Sequence, residues 1–157
     1  MSTNHDKSVV VLEDLEVGAE IGRCQQHISR ADLVRYAGAS GDFNPIHYND
    51  AFAQDVGLPG VIAHGMLTMG RAITLVLDWI GDPGAICEYG VRFTRPVPVP
   101  ALGEAVLDVV ATIGAIDLDA STARVDLTVS LDERTVLGRA RTVVAVPRRE
   151  QTTGLPT

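Results

Sequence analysis

The stretch that most limits how this chain folds is "HGMLTMGRAITLVLDWIGD", residues 64–82. Met66, Leu67, Met69, Ala72, Ile73, Leu75, Val76, Leu77, Trp79 and Ile80 leave little polar face on a helix. Arg71 and Asp78 are its only charges before Asp82. A helix this apolar either crosses a membrane or is enclosed by protein. The run is short for a span and carries Arg71 near its centre, so enclosure by protein is predicted.

The material for that enclosure follows at once. Strands are predicted from 85 up to Pro96, over 104–116, over 121–131 and over 136–146, as a meander. The third of these alternates cleanly, with Ala123, Val125, Leu127, Val129 and Leu131 on one face and Arg124, Asp126, Thr128 and Ser130 on the other. The fourth puts Arg139 and Arg141 on one face. Before the long helix, 18–29 reads as a strand. Ser29 offers an N-cap to a short helix over 30–39 that Gly38 and Gly41 end. Asn49 caps a second short helix, stopped by Gly57, and 57–60 is a turn. Strands segregated from one central helix indicate an α+β fold, a five-stranded antiparallel sheet rolled around that helix.

At 157 residues and 46% apolar content the chain supports one domain with a real core. We expect that domain over 9–147, with loose ends at 1–8 and 148–157. The net charge of −7 offers no basic stripe for nucleic acid, although a few local arginines suffice for an anionic small molecule. Cys24 and Cys87 do not make a disulfide framework. The apolar run Val9–Leu12 is too short for a signal sequence or a membrane span, so a cytoplasmic location is expected.

Chemistry concentrates in "SGDFNPIHYND", residues 40–50. Asn44 precedes proline and is pushed to an extended conformation, and Pro45 fixes its own φ. A carboxylate at Asp42 and an imidazole at His47 on such a bent loop can face one water. On spacing alone the bland reading stands ahead, with Asp42 capping a turn and His47 partly buried. "AHGML", 63–67, opens the apolar helix. Gly65 there either admits close packing or offers its backbone N–H to an oxygen that becomes negative. His64 is expected to help close the helix start. Metal ligation by Asp42, His47 and His64 matches no known ligand spacing, and neither a metal nor a cofactor is expected. His5 and His27 read as surface or strand residues. Arg92, Arg95, Arg139 and Arg141 read as solvated strand positions, one or two of them available to phosphates or an acidic carrier protein.

Taken together, "YAGASGDFNPIHYND" and "GVIAHGMLTMG" resemble the hydratase motif of the MaoC-like, hot-dog-fold (R)-specific enoyl-CoA hydratases and 3-hydroxyacyl-thioester dehydratases. The match is complete at Gly41, Asp42, Asn44, Pro45, Ile46 and His47. The likeness continues through 79–100, where it particularly resembles the catalytic subunits of mycobacterial carrier-protein dehydratases. "VPALGEAV" departs from the compact Pro-Gly-Asp of many relatives. The resemblance implies a hot-dog fold, Asp42 and His47 as the catalytic pair and the Gly65 amide as oxyanion donor. Asn44, Pro45, Ser40 and His64 would organise the site, with Ser40 and Tyr36 more often packing or capping. It also implies acyl-CoA or acyl-carrier-protein thioesters as substrates. Assembly would be a homodimer or higher oligomer, or a heterodimer with a motif-less hot-dog subunit. A non-catalytic thioester-binding subunit and an enzyme of polyketide-type thioesters are the alternatives; the intact pair argues against the former.

Overall fold

The computed structural model describes residues 9–149. His5, the end expected to be loose at 1–8, and residues 150–157 of the end expected to be loose at 148–157 lie outside them. Five strands, β1 (Glu20–Ser29), β2 (Ile86–Phe93), β3 (Glu104–Asp117), β4 (Thr122–Leu131) and β5 (Arg134–Ala145), form one antiparallel sheet in the order β1-β3-β4-β5-β2. Three helices, α1 (Arg30–Ser40), α2 (Asp50–Asp55) and α3 (Gly65–Ile80), lie between β1 and β2 in the chain.

The sheet corrects one expectation. β3, β4 and β5 form a meander, but β2 lies at the far edge beside β5, with Phe93 opposite Leu137. The reason is the connection 94–103, which carries Pro96, Pro98 and Pro100. Prolines lack the N–H that a central ladder needs, so β2 ends at Phe93 and the chain crosses to β3. On the way it borrows hydrogen bonds from the segment before α3. Val97 C=O accepts from Ala63 N–H at 2.8 Å, and Val99 N–H donates to Val61 C=O at 2.9 Å.

β4 shows the predicted alternation, with Ala123, Val125, Leu127 and Val129 buried. They join Leu107, Val109, Ala111 and Ile113 of β3 in a core that receives Ala72 and Val76 of α3. Within one chain the sheet covers α3 from one side. Leu67, Ile73, Leu75, Trp79 and Ile80 pack against that core yet stay half-buried, and Met66 is exposed. Tyr89 ties the edge strand to the helix by donating its hydroxyl to Met69 C=O at 2.9 Å. Burial pushes that phenol up to about 12. No helix among the described residues is long and apolar enough to cross a membrane.

The short helices end as their sequences indicate, except that α1 runs through Gly38 and stops only at Gly41. Ser29 and Asp32 form a reciprocal capping box at the start of α1, and Gly41 closes it in the left-handed region at φ 77°. Asn49 caps α2 through Phe52 N–H. Cys24 is half-buried and Cys87 exposed, both free. His27 pairs with Glu104 on the strand surface at 2.8 Å. Arg148 and Arg149, at the start of the expected tail, are hydrogen-bonded to Glu13, and Arg149 also to Asp14.

Candidate active site

Three segments meet at the N-terminal end of α3. The first is the loop after α1. Ser40 caps that helix by donating to Tyr36 C=O at 2.7 Å, and its Oγ accepts Asp42 N–H at 3.2 Å. Asp42 Oδ1 accepts Asn44 N–H, and Asn44 Oδ1 in turn accepts Ile46 N–H, each at 3.2 Å. These bonds, with Pro45 in the first turn, set up a short 3-10 helix over Pro45–His47. Asp42 therefore does cap its local turn, as the bland reading held. Its other carboxylate oxygen is left facing His47, with Oδ2 3.9 Å from Nε2.

The second segment is 61–64. Ile62 N–H donates to Ile46 C=O at 3.1 Å, and Ile62 C=O accepts from His47 Nδ1 at 2.7 Å. A carbonyl only accepts, so Nδ1 carries the proton and neutral His47 keeps its Nε2 lone pair. The segment is clamped from behind by Asp50. That carboxylate accepts Val61 N–H at 2.9 Å and both terminal nitrogens of Arg30, whose Nε donates to Val99 C=O. Hydrogen bonding to Arg30 holds the Asp50 carboxyl below its ordinary value. Nothing in the spacing of Arg30, Asp50 or Ile62 marks these roles, because they are made by tertiary contact.

The third is α3 itself. His64 is its N-cap residue but makes no side-chain cap. Instead its ring stacks on His47, centroids 3.7 Å apart, and Nε2–H donates to Asp42 C=O at 3.1 Å. Tyr36 packs on His64 at 4.8 Å. Gly65, the first helical residue, has an N–H with no intrahelical acceptor. A Cβ on Gly65 would lie 3.0–3.3 Å from the Phe93 ring, so close packing is one reason for glycine here.

Beside these groups lies a cleft of about 410 Å³ lined by His47, Gly65 and mainly apolar side chains, among them Ile46, Ile62, Phe93 and Leu137. Phe93 and Leu137 come from β2 and β5; strand alternation alone does not mark them as cleft residues. Arg95 also lines it, whereas Arg92, Arg139 and Arg141 lie elsewhere, around a concavity with Arg124.

The arrangement suits proton transfer better than metal binding. Asp42, His47 and His64 do offer ligand atoms within 4.8 Å of one another. The two imidazoles are stacked only 23° from parallel, however, so their in-plane lone pairs do not converge on one ion. Asp42 Oδ2 and His47 Nε2, by contrast, are two acceptors 3.9 Å apart with no proton between them. A water with two O–H donors satisfies both.

Comparison with known proteins bears on the family and the fold. The family model described as "MaoC like domain" matches residues 15–132. A 3-hydroxybutyryl-CoA dehydratase of Methylorubrum extorquens is 32% identical over 145 residues, covering 91% of this chain and 88% of that protein. The 3-hydroxyacyl-thioester dehydratase X of Mycobacterium tuberculosis is 43% identical over 74 residues, 47% of this chain but only 25% of that longer protein. A solved MaoC-like dehydratase superposes with a TM-score of 0.85 at 37% identity, over 93% of this chain and 45% of that one.

Proposed function

Because the chain belongs to the MaoC-like domain family, we propose that it is a hydro-lyase. It adds water reversibly to trans-2-enoyl thioesters, giving (R)-3-hydroxyacyl thioesters, by means of Asp42, His47 and the Gly65 amide. The observation that carries this reading is the facing of Asp42 Oδ2 and His47 Nε2 across 3.9 Å, with His47 lining an apolar cleft that Gly65 also lines. In the hydration direction the water oxygen bonds to the β-carbon and loses a proton to one member of the pair. That proton is then delivered to the α-carbon, so both members of the pair end as they began. The thioester carbonyl carries the enolate charge between these events, and the Gly65 N–H at the positive end of α3 stabilises it. Dehydration is the same path reversed. Because the pair shares one water, Asp42 and His47 are treated as a coupled unit.

The apolar lining suits an acyl chain, and Arg95 at the cleft suits the phosphate of a CoA or carrier-protein arm. The reading includes assembly into a hot-dog dimer through the open edge of β2, and a cytoplasmic location.

The test is turnover of a short trans-2-enoyl-CoA with chiral analysis of the product. Asp42→Asn and His47→Gln should each lose at least about two orders of magnitude in kcat/KM, as expected for general acid–base groups. Wild-type turnover in both variants would remove the assignment.

A further inference from the structure

We infer that His64 is a positioning residue of this site, tying the Asp42 loop and the His47 ring to the helix start that supplies the Gly65 amide. The inference rests on the acid–base reading above.

His64 is 1% exposed and touches each of the other parts. Its face supports the His47 ring at 3.7 Å. Its Nε2–H holds the Asp42 carbonyl at 3.1 Å. Its own peptide bond continues into Gly65. The other bonds that Asp42 itself makes, with Ser40 and Asn44, are local, and Ile46 and His47 reach Ile62 in the segment before α3. The bond to His64 crosses from the Asp42 loop to α3.

The chemistry of the ring shows which contact matters. With Nε2 protonated, Nδ1 is an acceptor, and it is buried without a hydrogen-bond partner among the described residues. An unmet buried acceptor is destabilising. Phenylalanine fills much of the same space, stacks on His47 and has no orphan atom. What it lacks is the N–H to Asp42. The imidazole therefore gives up stability to hold one backbone carbonyl, and the residue so held bears the half-exposed carboxylate facing His47.

This gives an experiment in which stability and activity part company. His64→Phe keeps a ring under His47 and loses the donor. It should melt at or above the wild-type temperature while kcat falls about ten- to a hundredfold and KM stays within about threefold, the scale of misplacing a catalytic group by an ångström or less. His64→Gln keeps an N–H donor and should retain kcat within about tenfold of wild type, above His64→Phe, despite losing the stack. Wild-type kcat in His64→Phe overturns the inference. So does a kcat for His64→Gln as low as that of Asp42→Asn, which also decides the matter should the phenylalanine variant not fold. Asp42→Asn and His47→Gln are assayed alongside. If they stay active, the acid–base reading and this inference fall together. If they lose activity and His64→Phe does not, only this inference falls.

Discussion

At the scale of single residues, His64 also sets an expectation for acid stability. Its burial, first, and the neighbouring His47, to a lesser degree, hold the imidazole below its ordinary value of 6.5; the hydrogen bond to Asp42 C=O and the Asp42 charge oppose them. Tyr36 is the other group on its face. A depressed histidine binds fewer protons in the folded chain than in the unfolded one, so its contribution to stability is present above about 6.5 and is lost as pH falls toward the folded value. Several carboxylates are also held below their ordinary values. Asp32 is held down by hydrogen bonds from Ser29, Asp50 by Arg30 and Glu20 by Arg23, below ordinary values of 3.8 for Asp and 4.5 for Glu. Their contributions survive to more acid pH and are lost as it passes through those lowered values. Urea midpoints measured from pH 7.5 downward should therefore fall in two stages. His64→Phe should flatten the first stage and leave the second, and an unchanged first stage would assign it to another group.

Among the elements, α1 shows how local signals reach the site. Its start is the Ser29–Asp32 box and its end is Gly41 at φ 77°, one residue before Asp42. Ser29→Ala removes a cap and should cost about 1 kcal/mol in urea unfolding, with kcat nearly unchanged. Gly41→Ala puts a Cβ in the left-handed region, at about 1–2 kcal/mol, and relief of that strain moves Asp42. It should lose kcat several-fold beyond what Ser29→Ala loses. Equal kcat in the two variants would mean that the Asp42 loop is held independently of α1. These caps were legible because Ser29, Gly41 and Asn49 act on backbone a few residues away. The Asp42–His47 pair stands out only through the resemblance of its motif, since on spacing alone the turn-capping reading is ahead. What escaped needs the tertiary fold. Phe93 reaches Gly65 only because β2 pairs with β5 and not with β3. The Ile62 carbonyl that fixes the His47 tautomer is backbone, without side-chain identity to read. Arg30 and Asp50 meet across twenty positions only after α1 and α2 have packed.

For the whole molecule, the open question is what covers the half-buried apolar side of α3 and the free edge of β2, since such edges invite pairing. The charges along β2 suit a second copy of the same chain. Arg92 shares a concavity with Arg124, Arg139, Arg141 and Glu88. Asp126 already pairs with both Arg124 and Arg141, and Arg92 has no ion-pair partner among the described residues. If two β2 strands pair antiparallel about Gly90, Glu88 of each stands directly opposite Arg92 of the other, on the same sheet face, and a two-fold axis repeats the contact. Cross-strand opposite charges contribute roughly 0.2–1 kcal/mol each, and like charges there are destabilising. Glu88→Arg should therefore weaken the dimer about tenfold or more, and adding Arg92→Glu should restore it, as read by sedimentation equilibrium. Loss in both variants, or in neither, would place the pairing at another register or edge. Phe93 extends this to catalysis, because it ends β2 and packs on Gly65. Dissociation loosens the strand that carries it, so turnover per chain should fall with dilution of Glu88→Arg and recover in the double variant.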